Sequence, residues 1–321
     1  MQNKSFIKNR SKKKSLVVSF SGGRTSGYLT NRLLKEEKKH WKDILVIFAN
    51  TGQEHEKTLE FINNCDERFG FNTVWIEAVT HLGERKSATS KIVDFKTASR
   101  DGVPFEGVIS KYGIPWSKAP HCTRELKEQP IKHYLRSIGL DLKDRYMAIG
   151  IRADESHRMA KNATKHNLIY PLIDWDIEKE DVLDWWETQN FDLEIPEHLG
   201  NCVWCWKKSY KKLMTVMTEH PEYFEFPEKM EKKYGKTGVI AKKMLNNGVL
   251  KGQKTMKFFR GFRTVKDIKE MVDDGFEKFI DLHHLHITDG CAESCEPFIA
   301  EESDDNDKKE FKNLIPSQSI L

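Results

Sequence analysis

The chain has 321 residues, enough for one large domain or two modest ones with a real core. Its 11% aromatic content excludes a disordered polymer, and no run approaches the length of a membrane span. A formal charge of +4 is too small a surplus to imply a nucleic-acid partner by itself, and a basic N-terminus with no apolar segment behind it points to a cytoplasmic protein.

Residues 1–14 carry six Lys or Arg and no acid, and read as a basic, mobile tail. From Ser15, SLVVSF has the β-branched character of a buried parallel strand, and SGGRTS then turns into the helical stretch GYLTNRLLKEEKKH. The unit repeats as DILVIFAN, the loop TGQEH and the helix TLEFINNCDERF, followed by NTVWIEAV as a third strand. YMAIGI, residues 146–151, is a fourth, and residues 80–118 read as a long excursion beside the site. Alternating strands and helices predict a doubly wound, mostly parallel α/β sheet. Beyond Pro171 the pattern becomes helical, notably residues 177–188 and 210–219. The expected organisation is a tail over residues 1–14, a nucleotide-binding domain over 15–200, a helical C-terminal extension with cysteine pairs over 201–298, and a flexible tail over 299–321.

The strongest local signal is SFSGGRTSGYL. A strand feeding a Ser-Gly-Gly loop into a helix N-terminus presents backbone N–H groups and the helix dipole to an anion. Gly22 and Gly23 allow the tight turn, and Ser19, Ser21, Thr25 and Ser26 supply hydroxyls around Arg24. An ordinary strand-helix turn is the alternative. The pattern is neither a P-loop nor a dinucleotide fingerprint. It resembles the PP-loop of the adenine nucleotide alpha hydrolases, and the motifs FANTGQEHEKTLEFI, HCTRELKEQPIKHYL, GIRADESHRM and YPLIDWDIEKEDVLDWW are similar to those of the phosphoadenosine phosphosulfate (PAPS) reductase family. The resemblance runs from about Ser15 to Lys208.

The resemblance implies an ATP- or adenylate-binding enzyme, assisted by Mg2+, with Asn50, Thr51 and Gly52 at the adenosine. Gly150, Arg152 and Arg158 fall in its Gly-x-Arg segment, where two guanidiniums would neutralise phosphate or sulfate; salt bridges to Asp154 and Glu155 are the bland reading. Arg124 and Lys127 would lie beside the same anion or form a solvated basic face. The family's iron-sulfur branch has Cys-Cys, a long gap and Cys-x2-Cys; here the matching positions are His121, Cys122, Cys202 and Cys205, one cysteine short. That set suits a 4Fe-4S cluster, a Zn2+ ion or no metal.

The family's C-terminal catalytic cysteine segment has no match. Cys291 and Cys295 stand there instead, as a sulfur-carrying or disulfide pair, a metal pair with His283, His284 or His286, or inert thiols. Lone Cys65 reads as a small buried hydrophobe. In residues 251–263, Lys251, Lys254, Lys257, Arg260 and Arg263 interleave with Phe258, Phe259 and Phe262. This is either a nucleic-acid platform or an amphipathic segment with buried rings. The leading expectation is sulfur transfer through adenylation of an acceptor, possibly nucleic acid, from an unknown sulfur donor or reductant protein. The alternatives are reduction of PAPS or adenylyl sulfate, and a non-catalytic nucleotide-binding subunit.

Overall fold

The computed structural model describes residues 9–116, 119–237, 258–259 and 263–278. Strands β1 (Ser15–Ser19), β2 (Ile44–Asn50), β3 (Val74–Val79), β4 (Thr89–Val93), β5 (Arg145–Ala148) and β6 (Leu168–Ile169) form one sheet in the order β4-β3-β2-β1-β5-β6. Every neighbouring pair is parallel except β3 with β4. β1 is central and buried along its whole length, because strand alternation sends Leu16 and Val18 to one face and Val17 to the other. The expected mostly parallel α/β sheet is therefore present, and the part beyond it is helical.

Helix α1 (Arg24–Arg32) follows β1, and α2 (Glu56–Phe69) follows β2, starting at His55 and stopping at Gly70 in the left-handed region. Residues 80–118, expected as a loop excursion, contain β4 and helix α3 (Val103–Tyr112). A π-type turn, Thr123–Glu128, leads into α4 (Gln129–Ser137). Further along the chain come helices α5 (Lys179–Glu187), α6 (Tyr210–Glu219), α7 (Glu225–Tyr234) and α8 (Val265–Asp273), with shorter turns between. No helix among the described residues is long and apolar enough to cross a membrane.

The described residues bear on two expectations. The inner end of the basic tail is anchored: Arg10 Nε donates to Glu37 Oε2 at 2.8 Å, and the Lys14 ammonium lies 4.8 Å from the centre of the Tyr146 ring. Phe258 and Phe259 are fully buried, against Trp204 and Phe224 respectively, so these two rings are unavailable as a base-stacking platform. Arg263 lies over Tyr210, and Phe262 with the remaining basic residues of that segment falls outside the described residues. One apolar cluster runs from Leu16 through Trp186, Cys202 and Met230 to Ile268. Cys65 sits inside it as expected, and burial pushes its thiol pKa up.

Candidate functional site

Strand order reverses at β1: chain progress runs outward through β2 and β3 on one side and through β5 and β6 on the other. The crevice at the carboxyl ends of β1 and β5 is the usual ligand position in such sheets. The loop after β1 lies there. Gly22 has φ +81°, and a Cβ on it would lie 2.7 Å from Thr58 Cγ2 and 2.8 Å from Ile62 Cδ1, so the turn rests directly on α2. Ser26 organises the loop, accepting from Ser21 N at 3.3 Å, donating to Gly23 O at 3.0 Å and lying 3.0 Å from Ser21 Oγ. Gly23 starts α1 without a side-chain cap, so its first-turn N–H groups face the crevice without that partner.

The segment after β5 closes the other wall. Gly150 packs on Ser26, and Arg152 Nη1 donates to Thr25 Oγ1 at 3.2 Å. Arg152 also holds Asp154 through two bonds, of 3.0 and 2.9 Å, and reaches Glu155 at 3.4 Å. Arg158 pairs with the same Glu155. The salt bridges of the bland reading are thus present. They leave one donor over: Arg158 is 4% exposed, and its buried Nη2 has no hydrogen-bond partner. An orphan guanidinium hydrogen costs about 1–3 kcal/mol, which an incoming anion would relieve.

Several expected site residues are engaged elsewhere. Arg24 turns away from the loop to grip Asp192 with two bonds, 2.7 and 2.8 Å, and the Leu193 carbonyl. Ser19 is buried within β1. Asn50 donates to Glu77 Oε1 at 2.7 Å and Ser99 O at 2.9 Å, tying β2 to β3. Arg124 is exposed and paired with Glu125. Gly52 abuts the backbone of Gly102. Trp186, to which the sequence pattern assigns no role, donates its Nε1 hydrogen to Arg24 O at 2.9 Å, and it fits because Gly27 has no side chain to meet it.

The second constellation joins segments far apart in sequence. Cys122, Thr123, Leu126 and Lys127 project from the π-type turn, and Cys202, Trp204, Cys205 and Trp206 from the segment before α6. With Thr51 and Phe105 they line one cavity of about 10 Å³. The loop after β2 clasps the Cys-x2-Cys segment: Val203 N donates to Gln53 O at 3.0 Å, Trp204 Nε1 to Gln53 Oε1, and Thr51 Oγ1 lies 3.4 Å from Cys202 Sγ. Glu54 accepts from Thr51 N and Oγ1; burial raises its carboxyl pKa, and Lys127 opposes that rise. His121 is not in the lining. Its Nε2 is 2.6 Å from Gly113 O, and burial lowers its imidazole pKa to about 4. Cys291, Cys295 and the His283, His284 and His286 group lie outside the described residues.

A cluster or zinc site asks for four donors held together. Three soft donors share the cavity, the expected fourth does not, and no group of three or more His, Cys, Asp or Glu among the described residues is arranged to hold a metal ion. The set does not fit that group as it stands.

A central parallel sheet with a two-glycine loop opening into a switch-point crevice defines an α/β protein of the PP-loop kind. The phosphoadenosine phosphosulfate reductase domain matches residues 15–194, and the chain belongs to that family. It is 38% identical over 202 residues to the uncharacterized nin region protein ORF290 of Escherichia phage lambda, covering 61% of this chain and 67% of that one. Two proteins of Methanocaldococcus jannaschii are also similar. Uncharacterized protein MJ0066 is 29% identical over 167 residues, 51% of this chain and 29% of its own length, and uncharacterized protein MJ0973 is 24% identical over 243 residues, 70% and 50%. The chain spans half or less of both.

Proposed function

We propose that this protein binds ATP or an adenylate at the β1/β5 crevice and performs sulfur transfer by adenylating an acceptor. The observation that carries the nucleotide reading is the meeting of two strand ends: an uncapped helix start faces Arg152 on Thr25, with the orphan Nη2 of Arg158 along the same ion-pair chain. The acceptor oxygen bonds to the α-phosphorus as the bond to the β-phosphate oxygen breaks, and pyrophosphate leaves. Ser21, Gly22, Gly23 and Ser26 hold the leaving group, and Arg152 and Arg158 exchange part of their pairing with Asp154 and Glu155 for the developing charge. Mg2+, where bound with the nucleotide, would offset part of the phosphate charge.

The three cavity thiols supply the sulfur side of this reading, with Thr51 on the cavity wall just after β2. In this reading the thiols act without a metal centre. Iron, zinc and acid-labile sulfide in anaerobically purified protein test that point: stoichiometric metal lost in Cys202→Ser would reinstate a cluster or zinc. A nucleic-acid acceptor would need contacts other than Phe258 and Phe259, and its affinity should fall steeply with added salt.

The deciding assay offers the anaerobic protein ATP, sulfide and mixed nucleic acid while AMP and pyrophosphate are followed. A parallel reaction offers PAPS or adenylyl sulfate with a thiol while sulfite is followed. AMP with pyrophosphate supports the proposal. Sulfite release abolished by Cys291→Ser or Cys295→Ser replaces it with reduction, the activity for which the family is named. Binding without turnover in either arm assigns an accessory role.

A further inference from the structure

Four neighbouring strands, β2, β1, β5 and β6, run parallel and so begin at one rim, opposite the crevice. The segments that enter them are stitched together. Lys42 N donates to Lys14 O at 2.9 Å and Leu16 N to Asp43 O at 2.8 Å, while Asn167 Nδ2 donates to Leu142 O at 2.7 Å and Arg145 O at 3.3 Å. At about 4.8 Å between strands, the rim is a line roughly 15 Å long. Entry residues 11–15, 38–43, 141–145 and 164–167 carry nine Lys or Arg against Asp43, Asp141 and Asp144, an excess larger than the +4 of the whole chain. Seven of the nine are exposed; Lys14 is half-buried and Arg145 buried. Among the described residues none of the nine is in an ion pair, whereas exposed Lys229, Lys232 and Lys266 on α7 and α8 each hold a carboxylate.

Arg145 sets this rim apart from an ordinary solvated basic face. It is 6% exposed, its Nε has no hydrogen-bond partner among the described residues, and exposed Asp141 offsets only part of the burial that pushes its pKa down. A guanidinium taken out of water without a paired anion is unfavourable, and an anion seated on the rim would supply the missing charge. Residues 1–8 cannot supply it, since they contain Lys4 and Lys8 and no acid. We propose that this rim binds the phosphate backbone of duplex DNA. A line of unpaired lysines complements a linear polyanion, and the duplex carries one charge per about 1.7 Å of its axis. The large rings of the rim are not free to stack on bases: Trp41 is buried, and Lys14 lies over Tyr146. Contacts therefore go to phosphates, which position a duplex without reading its sequence. The five residues of β1, at about 3.3 Å each, hold the rim roughly 17 Å from the loop at its carboxyl end, so DNA bound there is held away from the crevice. This binding needs neither the nucleotide nor the sulfur-transfer reading.

The test follows the fluorescence anisotropy of two labelled DNA duplexes of unrelated sequence as the full chain is added. The two should bind alike, and with about four phosphate contacts the affinity should fall roughly a hundredfold between about 50 and 200 mM salt. Lys13→Ser, Lys42→Ser and Lys143→Ser made together remove exposed charge far from the crevice. They should weaken binding at least tenfold at the lower salt and reduce the salt slope by about one per lost contact, with the melting temperature and calorimetric ATP binding unchanged. Arg145→Met should weaken DNA binding severalfold and hold or raise the melting temperature, a pairing that a purely structural arginine does not produce. As a control of equal charge, Lys229→Ser, Lys232→Ser and Lys266→Ser made together should leave DNA binding as it was. No binding at the lower salt, equal losses in the rim and control variants, or binding indifferent to the rim variant would overturn the proposal. So would a preference of more than tenfold for an RNA duplex, or binding confined to vesicles of phosphatidylserine and phosphatidylcholine offered in parallel. DNA binding without ATP binding sinks the nucleotide reading alone, and ATP binding without DNA binding sinks the rim alone.

Discussion

Arg158 separates binding from scaffolding more cleanly than any other side chain of the crevice. Arg158→Met keeps much of the aliphatic bulk and leaves Glu155 still paired with Arg152. It should weaken ATP binding by roughly tenfold or more, about 1.5–3 kcal/mol for a lost charged hydrogen bond, measurable by calorimetry. The two loop glycines should behave differently from each other. Gly22→Ala puts a methyl group into Thr58 and Ile62 at positive φ and should cost about 1–3 kcal/mol in urea unfolding. A Cβ on Gly23 meets only Ser21 Oγ, at 3.8 Å, so Gly23→Asp should fold normally and repel the nucleotide. Equal stability losses at both positions would contradict this account of the loop. His121 sets a pH dependence. Burial holds its folded pKa near 4 against about 6.5 unfolded, so the unfolded chain takes up the proton first as pH falls. Its contribution is full above pH 6.5 and declines between 6.5 and 4, by about 3 kcal/mol at most. His55 and His133 are lowered by burial too, and act in the same direction. His121→Gln should flatten the stability profile over that window.

Among the elements, those with strong periodicity were legible in the sequence. Buried β1, β2, β3 and β5 read as apolar runs, and α6 begins where Ser209 caps it through Lys212 N. β4 was missed because an antiparallel edge strand exposes much of its length: Ile92 is 68% exposed, and Lys91 reaches across to Glu77. β6, two residues long, is too short to carry a period. In the candidate site, the loop glycines and the convergence of Cys122 with Cys202 and Cys205 followed from motif order. The grip of Asp192 on Arg24 did not, because a contact spanning 168 positions leaves no local signal. That contact gives a further prediction: Asp192→Asn keeps the packing but removes the charge, and by freeing Arg24 toward the loop it should strengthen ATP binding severalfold. Weaker binding would mean that Arg24 serves α1 alone.

At the scale of the whole molecule, one apolar cluster continues from the sheet to α8, and the described parts should unfold together as one body. Trp204, within the cysteine segment, is the junction, stacking on Phe226 at 5.6 Å between ring centres and meeting Phe258 edge-on at 4.9 Å. Phe258→Ala should therefore cost about 3–5 kcal/mol and lower one shared calorimetric transition. A separate early transition of the C-terminal helices, with the sheet's transition unmoved, would show two independent bodies.

Glu231 holds the last described helix with a single carboxylate, accepting from Phe258 N and Val265 N, both at 3.1 Å. Anyone shortening this chain for crystallisation or fusion meets a constraint there. A cut between residues 235 and 257 would remove both donors, leave a buried carboxylate with lost partners and strip one face of Trp204, so a trimmed version should extend past Asp273 or carry Glu231→Gln together with a smaller residue at 204.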